Sequence, residues 1–416
     1  MTKLIPILLL ASVQLLLAQV QKEVAAPFNI KTITFVQNNQ NSIPIFPLGS
    51  GFQLQFDDLY GNEADYYYEI KHCDYNWVPT AIAKNEYLDG FDNQRIQNYS
   101  NSFNTLQLYS HYTLALPNAN TLGLKLSGNY LLTILNDAKE VVFSRKFILY
   151  EELANVPMQV KRARTIGNLP YKHNLEFSVN SKAINFQNPL KNLKIVLLQN
   201  GKFATAIQNI VPQYTLGAEL IYKYDTETQF WAGNEFLFFE NKDLRASGNN
   251  VSYIDASTAI YGSHLFTNTA RANFPYSFTQ DTNGSFLVQN FRASNMAIEA
   301  DYAWVYFSLS APAFGLDKNI YITGAFNNYV LTTENKMEYN QAKGIYEKAL
   351  LIKQGFTGFE YTVADNKGTI DLENAIDGNF YQTENNYTAL VYYKENTGRY
   401  DRVIGKGTAN SLTIVN

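Results

Sequence analysis

Four histidines, one cysteine and scattered carboxylates hold whatever acid–base, nucleophilic or metal chemistry this chain can perform. His72, His111, His173 and His264 lie far apart, whereas metal sites commonly draw their ligands from close spacing. Only His72-Cys73-Asp74 clusters locally, and successive residues of a strand point to opposite faces, so the three cannot reach one ion. Nucleophilic catalysis needs a serine or cysteine activated by a base, yet the sequence carries no Gly-x-Ser-x-Gly elbow and no glycine loop that would cradle a nucleotide. Cys73 ends a tyrosine-rich strand and reads as a small buried apolar residue. Paired carboxylates meet in space and not along the chain, but Asp57 with Asp58, and Glu69 with Asp74, sit at strand ends and turns, where solvation or turn bonding is their ordinary use. The expectation is a protein with no catalytic residue, no cofactor and no metal.

The aromatic residues suggest recognition instead. Trp77, Tyr109 with its neighbours His111 and Tyr112, and Trp231 all fall in segments expected between strands. Tyrosine and tryptophan concentrate at interface hot spots because one side chain buries a large area and keeps a polar tip. Trp77, Tyr109, His111 and Trp231 are therefore the candidate partner-interface residues; the competing role for each ring is to pin its loop onto its own domain.

The elements that must position these rings are strands. Of 416 residues 14% are aromatic, including 30 Tyr and 27 Phe, and rings suit the half-buried pleated surface better than a helix. Residues 28–36, Phe52-Gln-Leu54-Gln-Phe56 and Gly128-Asn-Tyr130-Leu-Leu132-Thr-Ile134 alternate as strands do, while no segment keeps helical periodicity. Tight turns are expected at Asp57–Gly61, with Tyr66–Ile70 returning as the next strand, and at Asn136-Asp137, Asn200-Gly201 and Asn283-Gly284. The fold class is all-β, with three consecutive β-sandwich, immunoglobulin-like domains. A charged start, the apolar run Leu4–Leu17 and Ala18 read as a signal peptide at 1–18. The domains then run 19–152, 153–300 and 301–416, with a polar linker at Glu151–Pro157. A formal charge of −4 and the lack of a basic stripe argue against nucleic acid as a partner. Beyond the leader no stretch reaches the roughly 18 apolar residues of a spanning helix, and a single cysteine allows no disulfide within the chain.

Phe56-Asp-Asp-Leu-Tyr-Gly61, Asp65-Tyr-Tyr-Tyr-Glu-Ile-Lys-His-Cys-Asp-Tyr-Asn-Trp77, Glu86-Tyr-Leu-Asp-Gly90, Ser102-Phe-Asn-Thr105 and Lys125-Leu-Ser-Gly-Asn-Tyr-Leu131 stand out as motifs beyond strand periodicity. In this order they resemble the plug protein family of the type IX secretion system. Leu198-Gln-Asn-Gly201, Gly233-Asn-Glu-Phe236, Lys353-Gln-Gly355 and Arg399-Tyr-Asp-Arg402 extend the likeness along nearly the whole chain. Leu237 stands where the family pattern leads one to expect arginine, and Tyr329 where tryptophan is more usual. The resemblance implies a soluble periplasmic protein at the inner face of the outer membrane. It would sit with associated subunits in the mouth of a very large translocon barrel, keeping it closed while no cargo crosses. Gly324-Ala-Phe-Asn-Asn-Tyr329 also resembles the sandwich modules attached to glycan-processing enzymes, which implies glycan binding by the C-terminal domain as the alternative.

Overall fold

A computed structural model describes residues 19–315 and 317–414; the expected signal peptide lies outside them. Strict alternation does what it must: Phe52–Asp58 and Ser110–Leu116 bury every second side chain over most of their length and pair antiparallel, Phe52 opposite Leu116 and Phe56 opposite Tyr112. They are central in a sheet ordered Gln40–Asn41, Ile30–Gln37, Phe52–Asp58, Ser110–Leu116, Tyr99–Asn101. Facing it is a second sheet ordered Ile45–Pro47, Val141–Tyr150, Gly128–Leu135, Tyr67–Cys73, Gln94–Arg95. Rings fill the space between, with Phe46 stacked on Phe52 at 4.3 Å and Tyr130 on Phe147 at 5.1 Å. The turn at Asn136-Asp137 closes a hairpin between Gly128–Leu135 and Val141–Tyr150 as expected. The one after Phe52–Asp58 does not: Tyr67–Cys73 crosses to the opposite sheet and pairs with Gly128–Leu135. Asp57 and Asp58 are buried strand residues, and the tight bend falls later, where the Gly61 amide donates to the Asp58 carbonyl at 3.2 Å.

The second sandwich is not continuous in sequence. One of its sheets holds Met158–Arg162, Lys172–Val179, Glu219–Tyr222 and Tyr214–Leu216, with Gln229–Trp231 also on Lys172–Val179. The other is ordered Ile207–Ile210, Leu193–Gln199, Asn386–Tyr393, Arg402–Asn410, so its last two strands come from the C-terminal end of the chain. Between them is inserted the third domain. Gly355–Asp365 pairs with Leu237–Glu240, Phe286–Val288 and Lys318–Thr323, opposite a sheet ordered Val251–Asp255, Gly262–Leu265, Tyr302–Ser310, Ile345–Lys353, Glu338–Asn340. A division of the chain at 300/301 therefore does not follow the sheets. Alternation identifies a strand but not its partner, and strands returning from far along the sequence look like any others.

Two strands whose sequences do not alternate explain how the first two sandwiches join. Leu193–Gln199 and Asn386–Tyr393 are apolar on both faces because both are covered, as a sheet buried between layers requires. Leu193, Ile195 and Leu197 enter the core of the middle sandwich, while Val196, Leu198, Leu390 and Tyr392 pack on Ile45, Cys73, Tyr75 and Ile148 of the first.

Candidate functional site

The joints between sandwiches collect the chain's buried polar chemistry. At the first joint, the Asp74 carboxylate accepts from the amides of Asn76 and Val78, both at 2.9 Å, and folds a turn that puts Trp77 at φ 64°. Trp77 is 8% exposed, edge-on to Phe203 of the middle sandwich, with the Lys146 ammonium 4.3 Å from its ring. Tyr75 donates its hydroxyl to the Ile195 carbonyl at 3.0 Å, and Tyr392 donates to Asn129 Oδ1 at 2.7 Å. Cys73 is fully buried here, and burial, reinforced by Asp74, pushes its thiol up to about 12. It is packing material and no nucleophile. His72 does not converge with it: its Nδ1 meets the Thr80 hydroxyl at 2.9 Å, and burial holds its pKa below the usual value.

The joint between the first and third domains is built on charge. Asp57 Oδ1 accepts from His111 Nδ1 at 2.7 Å, and Oδ2 accepts from the Tyr302 hydroxyl at 2.6 Å and from Lys353 Nζ at 2.7 Å. Lys353 also donates to the Ala297 carbonyl at 2.9 Å and lies 4.0 Å from the ring of Tyr109. Burial alone would raise the Asp57 pKa, but Lys353 and His111 outweigh it and hold the carboxyl below the usual range. For Lys353 burial wins over Asp57 and pulls the ammonium below its own usual range. Tyr109 is fully buried against Leu59, Tyr302 and Leu351, its hydroxyl donating to the Ala300 carbonyl at 2.8 Å.

Two strands of chain cross between the middle and inserted domains, and they are tied together. Asn385 Nδ2 donates to the Ala232 carbonyl at 2.8 Å and Thr383 Oγ1 to the Gly233 carbonyl at 2.8 Å. Beside them His173 is fully buried, Nε2 2.6 Å from the Tyr381 carbonyl and Nδ1 2.7 Å from the Tyr387 hydroxyl. A carbonyl only accepts, so Nε2 carries the hydrogen and Tyr387 donates to Nδ1. Trp231 is half-buried at this crossing, its ring 4.0 Å from Lys172 Nζ and its carbonyl accepting from Gln199.

The four residues expected to meet a partner all make contacts within the chain, and of them Trp231 stays half-buried. Trp77, Tyr109 and His111 face other domains or buried charges, and Trp231 packs at the crossing; the large rings that seal an interface do so here between sandwiches of one molecule. The Gly324–Tyr329 turn is likewise structural. Asn327 bonds the Gly324 amide and the Ile322 carbonyl, and Tyr329 packs beside Lys202 with its hydroxyl on the Asn283 carbonyl. Among the described residues no group of His, Cys, Asp and Glu could hold a metal, and no helix is long and apolar enough to cross a membrane.

What does face solvent is an apolar rim on the outside of the charged joint. The Asp301 carboxylate accepts from the amides of Leu106 at 2.6 Å and Gln107 at 3.1 Å, and the Phe103 amide donates to the Ile298 carbonyl. That anchoring holds Phe103, Leu106 and Leu108 outward, with Tyr60 and Phe291 nearby; each is between 47% and 78% exposed. Sequence reading passed over these residues because an isolated apolar residue in a loop carries no periodic signal.

Residues 30–151 match the family model described as Type 9 secretion system plug protein 1st domain. This first sandwich is a plug-protein first domain. The match supports a type 9 secretion-associated role for the chain. The plug domain comprises the whole ring-filled sandwich, with Asp57, His111, Trp77 and Tyr109, and its partners at the joints come from the other two domains. A crystal structure of a hypothetical protein from Parabacteroides merdae aligns with TM-score 0.88 and 29% identity, covering 93% of this chain and 98% of that one. The alignment spans all three sandwiches, so that protein shares the inserted arrangement. A biofilm-associated protein BSP domain (TM-score 0.18, 7% identity, 93% of this chain and 59% of that one) and the collagen adhesin of S. aureus (0.13, 9%, 93% and 94%) carry no structural argument. No curated protein matches the chain.

Proposed function

We propose that this chain is a non-catalytic periplasmic plug that occludes the inner opening of the type 9 secretion outer-membrane translocon barrel while no cargo is crossing. The plug first-domain match over 30–151 carries the reading. The physics agrees with it. Occlusion asks for a wide preformed surface and no reactive group, and buried rings line the joints of the first sandwich with the other two, with a buried ion pair at the joint to the third domain. Trp77, Tyr109 and His111 are occupied within the chain and Trp231 is half-buried, so we assign contact with the barrel to the exposed apolar residues Tyr60, Phe103, Leu106, Leu108 and Phe291. Large apolar side chains held out to solvent are the kind of surface that docking faces use. Release follows when barrel occupied by cargo or another subunit no longer offers the complementary surface.

Pull-down of tagged chain from detergent-solubilised envelopes should bring the barrel with it. A Phe103→Asp/Leu108→Asp variant, folded by circular dichroism, should recover about tenfold less barrel or lower still, the consequence of losing more than one buried anchor. Absence of the barrel from the wild-type pull-down would refute the proposal; equal recovery by the variant would move the contact elsewhere on the plug.

A further inference from the structure

Arg145 lies on Val141–Tyr150 between Phe143 and Phe147, and by the alternation of the strand it shares their inward face. It is 8% exposed. Its one hydrogen bond runs from Nη1 to the carbonyl of its neighbour Ser144 at 2.9 Å, and Phe143 lies 5.4 Å away. Among the described residues no carboxylate pairs with it. Glu23 is the nearby acid, but its oxygens are engaged by the Lys146 amide at 2.6 Å and by Asn328 Nδ2 at 2.7 Å. A buried guanidinium with this little compensation is costly, and its planar fork is built to receive a carboxylate.

The side chain forms part of the wall of a cavity of about 110 Å³ between the first and third domains. Its other cations are satisfied: Lys31 pairs with Glu334 and Lys353 with Asp57. Elsewhere the wall is largely apolar, with Ile30, Ile33, Phe286, Phe326, Leu350 and Ile352. An apolar cavity of roughly 150 Å³ accepts benzene, so the present volume suits a chain of a few carbons. We propose that this cavity binds a short aliphatic carboxylate, the carboxylate on Arg145 and the chain against the apolar wall. A phosphate would match the cation but not the wall. Bound ligand would touch both domains and so favour their observed arrangement.

The test is calorimetric titration of the full chain with sodium butyrate, acetate and phosphate, each against sodium chloride at equal ionic strength. Butyrate should bind saturably with a negative heat-capacity change, the mark of apolar burial, and several-fold more tightly than acetate. Arg145→Met should weaken butyrate by about tenfold or more. Val330→Phe, which fills the cavity and keeps the arginine, should weaken it too and serves alone if Arg145→Met does not fold. No saturable butyrate binding by wild-type protein, unchanged affinity in either folded variant, or phosphate binding as tightly as butyrate would each overturn the proposal.

Discussion

Lys353→Met should lower the unfolding free energy by about 3–5 kcal/mol, because it leaves the carboxylate of Asp57 buried without its cation. Both side chains are almost wholly inaccessible, at 3% and 0%, so water cannot take over the lost contact. His111 and Tyr302 still bond the carboxylate, which keeps the loss short of that for a bare charge. The double variant Asp57→Asn/Lys353→Met should regain much of the stability, since a neutral amide needs no cation. Urea unfolding of wild type, single and double variants measures this. A Lys353→Met loss under about 1 kcal/mol, the size expected of an exposed pair, would show that the joint is open to solvent. The pH dependence has a definite sign. Asp57 titrates lower in the folded chain than its ordinary 3.8, so its contribution is complete above that value and is lost as pH falls through the folded pKa.

His173 should make the chain acid-sensitive over a different window. Burial pulls its pKa from 6.5 to about 4, so between those values the unfolded chain holds a proton that the folded chain refuses. Stability is complete above pH 6.5, declines as the pH falls toward about 4 and levels off below, a loss of about 3 kcal/mol at about 1.36 kcal/mol per pKa unit. Protonation of Nδ1 would also turn an acceptor into a donor against the hydroxyl of Tyr387, at the crossing between the middle and inserted domains. His173→Phe should be less stable at neutral pH, having lost both hydrogen bonds, and its stability should vary less between pH 6.5 and 4. Denaturant midpoints collected across that range decide it; a variant as acid-sensitive as wild type would assign the titration to another group.

How far the sequence could be read depended on whether a feature is local. Alternation marked the strands of the first sandwich, and Asn200-Gly201 and Asn283-Gly284 adopt the left-handed backbone their residue types permit. The pairing of Leu193–Gln199 with Asn386–Tyr393 was not legible, because nearly two hundred residues separate the partners and the clue, apolar residues on both faces, names no mate. The same holds for the joints. Asp57 and His111 looked like a turn acid and a loop ring, and only the fold brings Lys353 and Tyr302 to them. Trp77, Tyr109 and Trp231 were recognisable as rings that seal surfaces, but composition cannot tell a surface between two domains from one between two proteins. The family likeness was legible because it rests on residue identities in order, which the first-domain match reproduces over 30–151.

The proposed closure of a conduit by shape rests on three sandwiches locked into one body. Its most direct test is the ionic conductance of the purified translocon barrel in a planar bilayer, before and after this chain is added from the periplasmic side. A large open-pore current should fall to near the bare-membrane level as the chain binds, with a weaker block by the Lys353→Met variant. A pore that stays fully open with the chain demonstrably bound would contradict it.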